Sequence, residues 1–346
     1  MTLTYCILPP EISTLHRFQA NTIPKRIVYQ HTLMPSASIS IVIPAFNEAS
    51  NIPVIAQKLA EVLVPYPNYE LIFVDDGSRD NSLTLLKQLA EQDRRIKYLS
   101  FSRNFGHQMA LRAGLEHATG DAVISMDADL QHPPELVPAL IEKWQAGYEI
   151  VYTVREPDKN LSLAKKQTSK WFYKINRYLT DIDLEEGAAD FRLLDRKVID
   201  YLRQFRENDL FLRGIISWIG FNQFKISYKP AERFSGKTKY SFKKMLLLAS
   251  AGITSFTTKP LYLSVLLGFL MFLFAIGFGL VSLFDYFMGN VVSGWTSIVI
   301  IIVMIGGIQL IMLGIIGIYL GKMFYEVKRR PSYIIRDTNL VVGSRG

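Results

Sequence analysis

An α/β domain built on a parallel sheet, with two long apolar helices after it, is the fold that this 346-residue sequence predicts. Three observations carry the prediction. Short apolar runs alternate with amphipathic segments of helical length between Ser38 and Val154, the pattern of βαβ units. Two of those runs end on acidic pairs, Asp75-Asp76 and Asp127-Ala128-Asp129, and acidic groups at successive strand ends gather on the sheet edge where ligands bind. Near the C-terminus, residues 261–284 and 297–320 form two runs of 24 residues with no charge in either.

Residues 1–37 show no clear period and contain Pro9, Pro10, Pro24 and Pro35, so they read as an N-terminal extension. A first strand is expected at 38–43, stopped by Pro44, and a helix at 48–64 with Pro53 in its first turn. Strands at 70–74, 96–100 and 121–126 alternate with helices at 82–92 and 106–118, the last ended by Thr119-Gly120. After Gly147 a fifth strand follows at 149–154, and the α/β domain is taken as 38–240. Within it, 161–180 sets Lys165, Lys166, Lys170, Lys174 and Arg177 beside Trp171, Phe172, Tyr173 and Tyr178. That mixture suits a helix lying in a bilayer interface, and 241–259 reads as a second, juxtamembrane helix.

Each apolar run, as a helix, is roughly 36 Å long at ~1.5 Å per residue, more than the ~30 Å hydrocarbon core of a bilayer. Buried core helices are the alternative, but these runs are long for that role and carry no polar face. The expected hairpin occupies 260–321. Its connection, 285–296, contains no Lys or Arg, whereas Lys243, Lys244, Lys259, Lys322, Lys328, Arg329 and Arg330 flank it. The positive-inside rule then predicts an integral membrane protein with its α/β domain and both termini cytoplasmic. Gly317 and Gly321 form a G-x-x-x-G pair that permits close helix packing, and a homo-oligomer through the spans and the tail at 322–346 is one expectation. The tail is basic and extended, with a short strand at 333–335.

No N-terminal apolar stretch resembles a signal peptide, and the single cysteine, Cys6, excludes an intrachain disulfide. The net charge of +8 fits attraction to anionic lipid better than nucleic acid, since neither zinc-ligand spacing nor a nucleic-acid-binding motif is present.

The chemistry concentrates at the strand ends. Clustered carboxylates repel one another unless a hard cation joins them, and oxygen ligands suit Mg²⁺ or Mn²⁺. Asp127 and Asp129, with Gln131 as a third oxygen donor, form the candidate metal set. A metal held by few carboxylates shares its shell with substrate phosphates, which points to a nucleotide diphosphate. Phe46 can line a base, with core packing as the alternative, and Glu48 can bond the base or ribose. Asp75 and Asp76 can hold base or ribose hydroxyls, or cap the turn at Gly77-Ser78.

The strings PAFNE (44–48), VDDGSRD (74–80), SRNFGHQMALRAGLEHATGD (102–121) and MDADLQHPPE (126–135), in this order and spacing, resemble the family 2 glycosyltransferases of GT-A (Rossmann-like) fold. Within them the chain is most similar to the polyprenyl-phosphate branch, which includes dolichol-phosphate mannose synthases and bactoprenol glucosyltransferases. The resemblance continues through 189–194, 233–240, the two-span hairpin and 325–331, covering about residues 38–335 and leaving the extension outside. It implies inverting transfer of a sugar from a nucleotide diphosphate to a polyprenyl phosphate such as undecaprenyl phosphate. It further implies that Asp127, Asp129 and Gln131 bind metal, that Pro44, Phe46, Glu48, Asp75 or Asp76, and Asp127 bind the nucleotide sugar, and that Arg155 with Lys165 or Lys166 meets phosphates.

The chemistry agrees with this. A phosphate monoester, with a second pKa of ~6, is already anionic at neutral pH, so the acceptor needs no strong base. Stabilising the leaving diphosphate is the harder task, and a metal with cations such as Arg155 does so electrostatically. Asp158 and Asp190 are candidates for a base or a sugar-hydroxyl contact. Arg192, Arg233, Lys237 and Lys239 are candidates for the lipid phosphate or for anionic headgroups. A processive polysaccharide synthase would carry a Q-x-x-R-W signature and more spans, and this sequence has neither. A non-catalytic nucleotide-sugar-binding scaffold for a lipid flippase would not need the intact metal set. UDP-glucose is the favoured donor and GDP-mannose the alternative.

Overall fold

The computed structural model describes residues 37–156, 185, 187–207, 211–229, 256–289 and 294–340. The N-terminal extension, the expected interfacial helix at 161–180, most of the expected juxtamembrane helix, and Asp158, Lys165, Lys166, Arg233, Lys237 and Lys239 lie outside the described residues.

The first half alternates as expected: β1 (Ile39–Ala45), α1 (Ile52–Val62), β2 (Tyr69–Asp75), α2 (Ser82–Gln92), β3 (Ile96–Phe101), α3 (His107–His117), β4 (Ala122–Ser125), α4 (Val137–Gln145) and β5 (Ile150–Arg155). Then come β6 (Ala188–Asp195), α5 (Arg196–Leu202), α6 (Leu212–Trp218), β7 (Gln223–Tyr228), the apolar helices α7 (Lys259–Phe287) and α8 (Trp295–Val327), and β8 (Ile335–Thr338). One eight-stranded sheet joins them in the order β7-β5-β6-β4-β1-β2-β3-β8.

The expected strands β1 to β5 all run parallel, and β7 pairs parallel with β5; the antiparallel members are β6, inserted between β4 and β5, and β8 at one edge. β1 pairs parallel with β2 and β4, and β2 parallel with β3. β6 runs antiparallel between β4 and β5, and β8 runs antiparallel to β3. All seven residues of β1 are buried, as expected of a central strand covered on both faces. Alternate side chains serve the two faces: Ile41 and Ile43 join Ile55, Leu59 and Leu140 in one core, and Val42 joins Leu111, Leu115 and Ile215 in the other.

Two element boundaries move for local reasons. Helix α1 begins at Ile52 instead of residue 48 because 47–51 is a turn. Asn47 adopts φ +57°, and the Asn47 and Glu48 N–H groups donate to the Ser78 and Ser82 hydroxyls at 2.9 and 3.0 Å. Pro53 does fall in the first helical turn. Strand β8 begins two residues later than expected because Tyr333 has another task. Its ring stacks on Phe101 at 5.1 Å, and its hydroxyl donates to Glu116 at 2.6 Å. Beyond the strand, Asn339 extends the ladder with its side chain, accepting from Tyr98 N at 2.7 Å and donating to Ile96 O at 3.1 Å.

Gly77, at φ +67°, lets the loops after β2 and β3 approach. A Cβ there would lie 2.5 Å from the Arg103 carbonyl carbon, a backbone atom that cannot move aside as a side-chain end could.

Helices α7 and α8 are 29 and 33 residues long. Both are long and apolar enough to cross a membrane by length and composition. They touch each other, and Tyr319 of α8 donates its hydroxyl to Thr257 O at 2.7 Å, just before α7. Most of their large side chains, Phe272, Leu280, Leu310 and Leu320 among them, are exposed. Among the described residues, and apart from the backbone of the same helix, nothing comes within 4 Å of a Cβ built on Gly317 or Gly321. The tail strand pairs with β3 of its own chain.

Candidate active site

Strands β1, β2 and β4 run parallel, so their C-terminal ends, Pro44-Ala45, Asp75 and Ser125, lie at one sheet edge, and Asp127 follows directly after β4. A cavity of about 670 Å³ opens there. It is lined by Pro44, Phe46, Glu48, Asp76, Asp127, Asp129, Gln131, Arg155 and Asp190, so one space gathers most of the expected site residues. A second cavity, of about 300 Å³, shares Phe46 with the first and is lined by Asp75 and Ser100.

Asp75 and Asp76 are adjacent in sequence and do different work. The Asp75 carboxylate accepts from Ser78 N at 3.1 Å and Ser100 Oγ at 2.8 Å, at the wall of the smaller cavity. Asp76 accepts from the N–H groups of Phe105 at 2.7 Å and Gly106 at 3.0 Å, so it holds the loop that starts α3. Burial raises its pKa, with Asp75 adding to the rise and the two backbone donors opposing it. Phe46 is 42% exposed and faces both cavities, which is surface available for a planar ligand and not core packing.

At the larger cavity Asp127 Oδ1 is buried and has no hydrogen-bond partner. His107 Nε2 lies 3.4 Å from it. Asp129 accepts from Gln131 N at 3.2 Å across Leu130, which takes φ +61°. Among the described residues no three acidic or imidazole groups converge as a complete metal cage. A carboxylate oxygen without a hydrogen bond, in the cavity that Asp129 and Gln131 also line, instead fits a cation that completes its shell with ligand phosphates, as Mg²⁺-type sites do.

Behind the carboxylates sits a buried polar layer. Asp127 N–H donates to His132 Nδ1 at 3.0 Å, while the ring's Nε2 faces Arg155 Nη2 at 3.3 Å and Asp127 Oδ2 at 3.6 Å. His132 is fully buried and stacks on Phe191 at 5.2 Å. Burial lowers its pKa, against the pull of Asp127. Arg155 donates from Nε to Tyr228 Oη at 3.1 Å while lining the cavity.

The floor is an ion cluster. Arg213 binds Asp190 through two bonds, Nε to Oδ1 at 2.8 Å and Nη2 to Oδ2 at 2.7 Å. Arg192 Nη2 adds a bond to Asp190 Oδ1 at 3.3 Å, and His107 Nε2 lies 3.6 Å from Oδ2. Burial would raise the Asp190 pKa, but the bonds from Arg213 and His107 outweigh it and hold the carboxyl well below its ordinary value. Asp190 is therefore a poor proton acceptor and a good anchor. At His107, burial pulls the imidazole down, but Asp190 and Asp127 together hold its pKa above the usual value.

The position of Arg192 corrects the sequence reading. Expected at the lipid phosphate, it is 5% exposed within β6, with Nη2 bonded to Ala189 O at 2.9 Å. Burial lowers its pKa to about 10. Its guanidinium is held inside the protein by Ala189 O and Asp190 Oδ1.

His107, His132 and Arg213 went unremarked in the sequence. The two histidines lie inside or beside the strings quoted above, so proximity to a motif was their only signal. Arg213 had none, because it reaches Asp190 from a separate helix.

A sheet with this topology, with strand-end carboxylates and a cavity of about 670 Å³ at its carboxyl edge, defines an α/β domain of GT-A type. The chain belongs to glycosyl transferase family 2, whose model, Glycosyl transferase family 2, matches residues 40–203. Uncharacterized glycosyltransferase YkcC of Bacillus subtilis (strain 168) is 45% identical, over 86% of this chain and 93% of its own length. The SfII prophage-derived bactoprenol glucosyl transferase of Shigella flexneri is 41% identical, over 87% of this chain and 98% of its own. A solved structure of glucosyl-3-phosphoglycerate synthase from Mycobacterium tuberculosis is 20% identical, over 63% of this chain and 78% of that one, with a TM-score of 0.43.

Proposed function

We propose that this glycosyltransferase moves glucose from UDP-glucose onto the phosphate of a polyprenyl phosphate, with inversion. The observation that carries the reading is the pair of neighbouring cavities that share Phe46 and Asn104 in their walls, one also walled by Asp75 and the other by Asp127, Asp129 and Arg155. Together they suit a nucleotide at one end and a diphosphate-linked sugar at the other. Near-full-length similarity to bactoprenol glucosyl transferases supports the lipid acceptor and the sugar.

In the proposed step a phosphate oxygen of the acceptor attacks the anomeric carbon from the face opposite the diphosphate. The bond from that carbon to the diphosphate oxygen breaks, and its electron pair leaves with UDP. The acceptor oxygen is already deprotonated, so no carboxylate has to take a proton, which agrees with the pairing of Asp190 to Arg213. Arg155 faces the cavity to hold phosphate charge. Mg²⁺ or Mn²⁺, held by Asp127, Asp129 and Gln131, would supply positive charge against the leaving diphosphate.

The test is a donor panel. Membranes containing the protein are given undecaprenyl phosphate and labelled UDP-glucose or GDP-mannose. Label should enter the lipid from UDP-glucose. Transfer from GDP-mannose alone would select the mannosyl alternative, and nucleotide-sugar binding without transfer would leave the scaffold reading.

The same proposal places α7 and α8 across the membrane as a hairpin, with the catalytic domain, both termini and the segment at 161–180 on the cytoplasmic side. Exposed apolar side chains and basic flanks support it. In a Cys6→Ser background, an impermeant thiol reagent added outside should label Ser293→Cys and miss Ser332→Cys. The reverse pattern would overturn the topology.

A further inference from the structure

We propose that Arg336, carried on the C-terminal strand β8, binds the nucleobase of the donor, so that the tail following the second apolar helix completes the nucleotide pocket. The inference rests on the donor reading above and names a residue and a base chemistry for it.

The cavity of about 300 Å³ is walled by Phe46, Asp75, Ser100 and Arg103 from the central strands and their loops, and by Arg336 alone from the tail. Arg336 is placed there by a β-bulge. Phe101 pairs with Ile335 and Ser100 with Asp337, one step along β3 against two along β8. Arg336 is the extra residue. In a regular strand Ile335 and Asp337 would share a face. Here Ile335 packs into the core beneath α3, while Asp337 pairs with Lys87 of α2 at 2.5 Å and accepts from Tyr98 Oη at 3.4 Å. A bulge re-aims the side chain it frees, and this one turns a guanidinium to the cavity.

The strand that carries Arg336 is pinned at both ends. Ser102 N donates to Ile334 O at 3.0 Å, Tyr333 stacks on Phe101, and Asn339 bonds the β3 backbone on two sides. The position of Arg336 is thus a property of the docked tail and not of a loose end.

The pocket offers a carboxylate acceptor and a planar, permanently charged donor. A keto base presents the complement. Uracil carries N3–H flanked by two carbonyl oxygens, so N–H can face Asp75 while a carbonyl accepts from Arg336. Cytosine presents an unprotonated N3 and an amino group, which puts an acceptor against the carboxylate and a donor against the guanidinium.

The test uses the full-length protein in detergent, with UDP and CDP as probes in titration calorimetry. Arg336→Ala should weaken UDP binding about tenfold, roughly the loss of one hydrogen bond to a charged group, and should narrow the preference of UDP over CDP. Arg336→Lys should recover part of the loss. UDP should also slow hydrogen exchange across 333–340 in the wild type and not in Arg336→Ala. Unchanged UDP affinity would overturn the proposal. Equal weakening of UDP and CDP would overturn it as well, because it would move Arg336 to the shared ribose diphosphate. Asp75→Asn separates the two readings: if it too leaves UDP affinity unchanged, the donor pocket itself is misplaced.

Discussion

Asp127→Ala is expected to lower sugar transfer by ~10³-fold or more while the domain still folds. The reason is the Oδ1 oxygen at the cavity. It is buried without a hydrogen-bond partner and faces the His107 imidazole at 3.4 Å, which leaves it able to accept a cation. Removing it deprives the site of that ligand. A cation opposing the charge of a leaving diphosphate is worth several kcal/mol of barrier, and each ~1.4 kcal/mol is tenfold in rate. Circular dichroism should be unchanged, because Asp127 projects past the end of β4 and supports no core packing. EDTA should reproduce the loss in the wild type, and added Mg²⁺ or Mn²⁺ should reverse it. Undiminished turnover in EDTA would sink the metal role and return Asp127 to a direct contact with the donor.

Asp190→Ala is expected to cost about 3–5 kcal/mol of stability, the usual penalty for removing one partner of a buried ion pair. Two guanidiniums bear on this one carboxylate, Arg213 from α6 and Arg192 from within β6. Without it Arg192 keeps its charge in a site that is 5% exposed. For a domain of this size the melting temperature should fall on the order of 10 °C. The pH dependence gives a second readout. The native Asp190 pKa lies well below 3.8, so its contribution is present above the unfolded value and is lost only as pH falls through the depressed native one. The wild type should therefore lose this increment only in strong acid, and the variant should lack that acid limb. A shift under about 2 °C with the acid limb intact would show that the arginines find other partners.

The two expectations concern one sheet edge and separate its layers. Asp127 faces the cavity and its loss should be felt in rate. Asp190 lines the cavity floor while paired to Arg213 and Arg192, and its loss should be felt first in stability.

Much of this was legible in the chain because it is written locally. The alternation through β1, α1, β2, α2, β3, α3 and β4 follows from the side-chain periods of strand and helix, and the acidic strand ends follow from the order of the residues alone. The uncharged runs at 261–284 and 297–320 announce long apolar helices by composition. The order and spacing of the four quoted strings determined the family. What the tertiary structure decided depends on pairing between distant segments. β6 inserts antiparallel between β4 and β5, and its Arg192 is held inside by Ala189 O and Asp190 Oδ1, although its charge read as exposed. Arg213 reaches Asp190 from 23 residues away, and no local period reports such a contact. The bulge in β8 brings Arg336 to a pocket whose other walls are more than 230 positions earlier in the chain. Local periods are set by backbone geometry and can be read one segment at a time, whereas register, side-chain facing and ion pairing are set by which strands meet, and that is settled only when the whole sheet closes.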